Sequence, residues 1–291
     1  MNHDPLNVLH AEDLPVQPDP AFAARLRRRL ESAVTLPHRT EGVEMSNTDA
    51  EIAALNEPST DELIQHGDIG YVSVWVPDPA RAADFYRHVL GWSYAAAAHQ
   101  VTNTDLPIGI AATSAAPTLF CCYAVTDVQA ARQTIAETGG APGEVRRTDY
   151  GTILDATDPR GVAFAVYEPP PGQKRLTANG SGPGELAYLT YRTTDSAAFR
   201  DFYGRILGWT FTAGRIDDGW QMRNTRPMAG VAGGNARPAT LPMWTVSDIG
   251  AAVARVREAG GTVVAEPVRQ PYGMEAECTD DQGSPFYLGE F

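Results

Sequence analysis

Two stretches of this chain are versions of one another. Residues 76–92 read VPDPARAADFYRHVLGW and residues 193–209 read TTDSAAFRDFYGRILGW. Asp78, Asp84, Phe85, Tyr86, Leu90, Gly91 and Trp92 recur as Asp195, Asp201, Phe202, Tyr203, Leu207, Gly208 and Trp209, at a constant offset of 117. A repeat of this length means that a whole folding unit has been duplicated. Each version reads as a strand, an Asp at the helix N-cap, a helix and a Gly stop. Pro79 follows Asp78 at the first helical position, and Ala82, Phe85 and Val89 share one helical face ahead of Gly91.

The surroundings of the two stretches repeat as well. Residues 70–76 alternate as a strand, with Val72, Val74 and Val76 on one face and Tyr71, Ser73 and Trp75 on the other. Short strands are expected around residues 92–97 and 108–113. A strand over residues 118–125 leads to Asp127, the cap of a second helix that ends at Gly139-Gly140. The turn Asp158-Pro-Arg-Gly161 then precedes a closing strand over residues 163–167. The second copy gives strand 186–191, helix 195–207, and middle strands near Phe211, residues 220–222 and Val231. Strand 243–246, Asp248, a helix ending at Gly260-Gly261, the turn Asp280-Asp-Gln-Gly283 and strand 286–288 complete it. Asp127 and Asp248 stand 121 apart, so the second copy carries about four more residues in its middle strands. Each copy therefore holds two βαβββ-like modules. Such modules curl into a cupped or barrel-like mixed sheet with helices outside, an α+β architecture with a concave interior. Whether modules pair within a copy or across copies is open at this level.

The organisation expected is an N-terminal arm over residues 1–67, a first domain over 68–169, a linker over 170–183 and a second domain over 184–291. Within the arm, residues 21–34 have helical spacing (Phe22, Leu26, Leu30) with Arg25, Arg27, Arg28 and Arg29 mostly elsewhere on the surface. The formal net charge of −13 excludes the basic footprint of a nucleic-acid binder. No apolar run approaches the ~18 residues of a membrane span, and no secretory leader is visible. Cys121, Cys122 and Cys278 make no disulfide framework and suit a reducing cytoplasm, the location expected.

The two repeated stretches, the helix ends at Thr138-Gly-Gly140 and residues 257–261, and the paired DPRG and DDQG turns resemble the vicinal oxygen chelate superfamily. That family includes glyoxalase I, extradiol dioxygenases and bleomycin-resistance proteins. The resemblance covers residues 68–169 and 184–291 as two tandem domains, and looks like the two-domain glyoxalase-like proteins of actinobacterial type. It implies a divalent metal held by His and Glu on inward strand positions. The position of the first His is Tyr71 in copy one and Tyr188 in copy two. The second-module position holds Phe120 and Leu241, and that of the closing-strand Glu holds Ala165 and Tyr287. None of the six is a usual ligand.

No other set replaces them. Four of the six histidines (His3, His10, His38 and His66) precede the first repeat, His88 sits on a helix, His99 has no nearby Glu or Cys partner, and the second copy has none. Glu144 and Glu266, and Tyr150-Gly151 and Tyr272-Gly273, recur after the Gly pairs and read as polar loops and turns. No cofactor is expected, and a divalent metal finds no support in these positions.

The interior is instead aromatic and apolar. Tyr71, Ser73, Trp75, Phe120 and Cys122 point inward in copy one. Tyr188, Thr190, Leu241, Met243 and Tyr287 do so in copy two, with Trp220 or Met222 nearby. Such a lining suits a small apolar or aromatic ligand, and copy two is favoured as the binding half. The function expected is therefore metal-free sequestration or sensing of a small molecule, as in the bleomycin-resistance branch. The alternatives are an enzyme with a non-standard metal set or a Tyr71 or Tyr188 acid, and a scaffold that recruits a partner through the arm. A pseudo-dimer within one chain makes a monomer sufficient; a homodimer is the other expectation. No nucleic-acid or membrane partner is expected.

Overall fold

The computed structural model describes residues 62–148, 150–177, 180 and 182–291. The helix expected over residues 21–34 lies outside them. Copy one runs β1 (Ile69–Val76), α1 (Pro79–Leu90), β2 (Tyr94–Ala95), β3 (Gln100–Val101), β4 (Ile108–Ala112) and β5 (Thr118–Ala124). It continues with α2 (Val128–Glu137), β6 (Ala141–Thr148), β7 (Gly151–Thr157) and β8 (Ala163–Glu168). Copy two repeats the order as β9 (Leu186–Arg192), α3 (Ser196–Leu207), β10 (Thr210–Ala213), β11 (Gly219–Arg223) and β12 (Met228–Ala232). It closes with β13 (Ala239–Thr245), α4 (Ile249–Glu258), β14 (Thr262–Gln270), β15 (Gly273–Thr279) and β16 (Pro285–Glu290). The first helix of each copy starts and stops as its sequence dictates. Asp78 accepts hydrogen bonds from the Ala80 and Arg81 amides at 3.0 and 3.2 Å, and Asp195 accepts one from the Ala198 amide at 3.0 Å. Gly91 and Gly208 end the helices with φ of 75° and 66°, a conformation glycine adopts without strain.

Modules pair within a copy. Among the described residues each copy forms one curved eight-stranded sheet, in the orders β2-β3-β4-β1-β5-β8-β7-β6 and β10-β11-β12-β9-β13-β16-β15-β14. The first strands of the two modules, β1 and β5, are antiparallel neighbours at the middle, and each runs parallel to the last strand of its own module, β4 or β8. Neither sheet closes into a barrel. Alternation along the middle strands separates two faces. Val72, Val74, Leu119, Cys121 and Tyr123 belong to the main core, while Phe120, Cys122, Ala165 and Tyr167 form a separate cluster on the concave side.

The main core is continuous through both copies, because the convex faces and their helices meet. Phe85 and Tyr86 of α1 pack on Phe286 of β16, with ring centroids 6.1 and 5.9 Å apart, and Trp92 meets Trp244 edge-on at 4.9 Å. The second copy answers in kind, with Phe202 and Tyr203 of α3 against Phe164 of β8. Hydrogen bonds cross at the same places. Trp92 donates to the Gly184 carbonyl at 2.9 Å and Trp209 to the Gly67 carbonyl at 2.8 Å. Tyr86 donates to Asp280 at 3.3 Å and Tyr203 to Asp158 at 3.5 Å, the turn aspartates of the opposite copy. Tyr123 and Tyr191 join their hydroxyls at 2.9 Å where β5 and β13 meet.

The repeated Gly pairs serve the same contact. Gly139 and Gly260 take φ of 87° and 86°, as helix ends require. A Cβ on their neighbours would press on their own copy first, 2.8 Å from the Thr157 carbonyl at Gly140 and 2.5 Å from the Thr279 carbonyl at Gly261, and also on the other copy, 3.0 Å from the Phe202 ring and 2.9 Å from the Phe85 ring. Part of the expected linker is also docked. Leu63 bridges to Lys174, and Arg175 pairs with the buried Asp68 at 2.6 Å. Among the described residues no helix is long and apolar enough to cross a membrane.

Two outcomes follow from this interface. Gly140→Ala and Gly261→Ala overpack it, so each should lower stability in urea by about 1–3 kcal/mol, with both copies still unfolding in one transition. Burial, foremost, raises the Asp280 carboxyl above its ordinary value, against the lowering pull of the Ser284 and Gln282 amides. A raised folded value means that the stability this group contributes is fully present below ~3.9 and is lost as pH rises through the folded value. The stability of Asp280→Asn relative to the natural chain should therefore improve between about pH 4 and pH 7 when followed by denaturant titration.

Candidate functional site

On the concave side of copy one a cleft of about 420 Å³ opens over the end of the sheet where β1, β5, β7 and β8 meet. Tyr71, Cys122, Ile153 and Tyr167 make its floor. Gln100 and Pro107 bound one side, and Arg146, Thr148 and Tyr150 of the β6–β7 hairpin the other, with Pro170 and Gln173 closing the end. The lining is mainly apolar. Tyr150, 69% exposed at the hairpin tip, presents an aromatic face that no core contact accounts for.

Two tyrosines lie flat on this floor because glycines make room for them. A Cβ on Gly109 of β4 would come 2.0 Å from the Tyr71 hydroxyl, and one on Gly70 of β1 would come 1.8 Å from the Tyr167 hydroxyl. Burial raises the pKa of both phenols, with Ser73 drawing Tyr71 back and Gln173 drawing Tyr167 back. Both therefore remain protonated at neutral pH and available as donors. The Tyr167 hydroxyl is buried and makes no well-formed hydrogen bond, and the same holds for Ser73. Cys122 is no nucleophile: burial, and then the nearby Asp155 charge, push its thiol far up. Asp155 itself is engaged by Arg146.

The rest of the concave face in copy one is filled from within. Trp75 and Phe120 stack 4.7 Å apart at an interplanar angle of 7°, beside the buried Ser73. Of the residues expected to line a site, Tyr71 and Cys122 do line the cleft, whereas Ser73, Trp75 and Phe120 lie one step further along the same face.

In copy two Tyr188, Thr190, Leu241, Met243 and Tyr287 share the concave face as expected, with Tyr188 in register with Met243 and Met243 with Tyr287. Tyr188 covers Gly230 as Tyr71 covers Gly109, and burial pushes its phenol up to about 12. Here the polar groups engage one another. Arg192 donates to Glu277 at 2.9 Å and to the Tyr287 hydroxyl at 2.6 Å, and Tyr272 donates to Glu275. Met243 and Phe291 crowd Gly289, each 2.9 Å from where its Cβ would be. The inward placement expected for Trp220 and Met222 is corrected. Trp220 pairs with core-facing Val231 and carries the Arg200 guanidinium 3.6 Å above its ring, while Met222 is buried in the main core. Trp220 and Met222 of β11 share the core-facing side of their strand, and Gln221 between them stands opposite Gly230.

The register also tests the metal positions. The layer containing Tyr71 holds Cys122 and Ala165, and the layer containing Tyr188 holds Met243 and Tyr287. Phe120 and Leu241, assigned to these layers from sequence, stand one step away opposite Ser73 and Thr190. Neither layer fits a divalent ion: one offers a single thiol held protonated, the other a thioether and two phenols, one already bound by Arg192. Among the described residues no three His, Cys, Asp or Glu side chains converge. His88 is exposed beside Glu258, and exposed His99 faces only Tyr94.

Sequence reasoning missed Tyr167, Ile153, Arg146 and Tyr150 as members of one cleft. Tyr167 was within reach, since period two carries the inward face from Ala165 to residue 167.

The fold has many counterparts. The Mn(II)-bound glyoxalase from Novosphingobium aromaticivorans superposes with a TM-score of 0.61 at 17% identity, over 78% of this chain and 83% of that one. The 2,3-dioxygenase LapB from Pseudomonas sp. KL28 gives 0.57 at 14%, over 79% and 93%. Nearer in sequence is the anthracycline biosynthesis protein DnrV of Streptomyces peucetius, 30% identical over 251 residues, covering 74% of this chain and 90% of that protein. The putative glyoxylase CFP32 of Mycobacterium bovis is 25% identical over 254 residues, covering 76% and 94%. The Glyoxalase/Bleomycin resistance protein/Dioxygenase superfamily model matches residues 68–166 and 185–287, so with its duplicated strand–helix stretch and paired curved sheets the chain belongs to that superfamily.

Proposed function

We propose that the chain binds a flat, largely apolar small molecule, aromatic in class, in the cleft of its first copy, and acts by holding it without a metal. The observation that carries this reading is the cleft itself. An apolar space of about 420 Å³, walled by Ile153, Pro107 and Pro170 and overlooked by the exposed Tyr150, matches ligand sites in size and lining. Tyr71 and Cys122 are its sequence-assigned members. In copy two Arg192, Glu277 and Tyr287 are engaged with one another, which supports the first copy rather than the second as the binding half. The relatives named for anthracycline biosynthesis agree in chemistry, anthracyclines being fused-ring aromatics. The two copies already bury their convex faces against each other, so one chain is a sufficient functional unit.

An enzymatic reading draws on the relatives named putative glyoxylases and on Tyr71, a cleft phenol that keeps its proton at neutral pH, although its raised pKa makes it a weak general acid. No step through a metal follows from these residues. Loss of turnover without loss of affinity in Tyr71→Phe would favour catalysis over holding.

The test is a titration with 1,8-dihydroxyanthraquinone followed by tryptophan fluorescence. The natural chain should show saturable binding. Ile153→Trp, which fills the cleft, should weaken it by at least about tenfold, roughly 1.4 kcal/mol, and Met243→Ala in copy two should leave it unchanged. Equal weakening by both, or by Met243→Ala alone, would overturn the assignment to copy one.

A further inference from the structure

The cleft contains one polar group that the protein itself answers poorly: Gln173 lies near the Tyr167 hydroxyl but not in good hydrogen-bonding geometry. Tyr167 is 6% exposed, and its hydroxyl has no well-formed hydrogen bond. Such a group carries a desolvation penalty that a ligand atom can relieve. The sequence goes out of its way to hold it there. Gly70 lacks the Cβ that would stand 1.8 Å from the Tyr167 hydroxyl, so the ring of this cleft-lining residue reaches across to β1 with its oxygen buried against the strand. Copy two has no counterpart. Ala124 pairs with Tyr167 and Thr245 with Gly289, so the equivalent position is a glycine, its space taken by Met243 and Phe291.

We infer that Tyr167 determines ligand choice: its hydroxyl donates to a carbonyl or phenolic oxygen on the edge of a flat aromatic, so the cleft selects oxygenated ring systems over hydrocarbons of the same shape. This rests on the binding reading above. Its own content is the direction of the ligand, with an oxygen-bearing edge toward β8 and β1 and apolar rings toward Ile153 and Tyr150. The discrimination has the usual source of polar specificity, since a ligand without the oxygen leaves the buried hydroxyl unpaired a second time.

Fluorenone and fluorene are a matched pair of probes, flat three-ring molecules that differ by a carbonyl in place of a methylene. Equilibrium dialysis of the full chain should show fluorenone bound roughly three- to tenfold more tightly than fluorene, as one neutral buried hydrogen bond allows. Tyr167→Phe should abolish that ratio by weakening fluorenone alone. Gly70→Ala, which must displace the ring, should reduce the ratio through a different substitution, and far-ultraviolet circular dichroism checks that both variants are folded. A ratio unchanged in folded Tyr167→Phe, with both compounds still bound, would overturn the role of Tyr167 and leave the binding reading standing. Failure of the natural chain to bind either compound would overturn both.

Discussion

Everything else in this structure depends on the contact between the two convex faces. Each copy sends the Phe-Tyr pair of its first helix and the Trp after its Gly stop into the opposite copy. The indoles of Trp92 and Trp209 end on carbonyls across the boundary, and Tyr86 and Tyr203 reach the turn aspartates Asp280 and Asp158. The core is therefore one body, not two cores joined by a linker. The repeated motif is constrained twice, by the helix it caps and by the partner it grips. That explains why Phe85, Tyr86 and Trp92 recur in copy two, while most strand residues on the other face, Tyr71 and Tyr188 apart, differ between copies.

With the convex faces committed, the concave faces are where the copies are free to diverge. The layer that holds Tyr71, Cys122 and Ala165 in copy one holds Tyr188, Met243 and Tyr287 in copy two. Trp75 of β1 corresponds to Arg192 of β9, and with it a stacked aromatic pair is exchanged for an Arg–Glu–Tyr network. A single exchange, Tyr167 for Gly289, leaves one cup with a buried, poorly partnered hydroxyl beside an apolar cleft. In the other, Met243 and Phe291 lie over the glycine. A duplicated scaffold has thus kept its architecture and given its halves different interiors, which is why family membership alone does not state the chemistry.

Much of the fold was legible in the sequence because its signals are local. Asp78 and Asp195 as caps, Gly91 and Gly208 as stops, and the alternation of Val72, Val74 and Val76 each follow from the geometry of one element. The faces of β1, β5, β9 and β13 were read correctly for the same reason. What was not legible depends on register between strands. Phe120 and Leu241 were assigned to the layers of Tyr71 and Tyr188, where Cys122 and Met243 stand, because nothing in a single strand says how far its neighbour slides along it. Trp220 and Met222 were misplaced because β11 is short and its phase is set by pairing with β12. The second glycines, Gly140 and Gly261, read as helix ends, and their contact with a phenylalanine of the other copy has no local signature. Tyr167 shares the inward face of β8 with Ala165, a signal that the alternation carries, but its reach across to β1 depends on Gly70 and is not local.

The most direct measurement is a crystal structure of the chain with 1,8-dihydroxyanthraquinone bound. This account predicts one molecule per chain, lying over Cys122 and Ile153 beneath Tyr150, with an oxygen within hydrogen-bonding distance of the Tyr167 hydroxyl. A molecule seated against Arg192 and Tyr287 in the second copy, or a metal ion held in either cup, would contradict it.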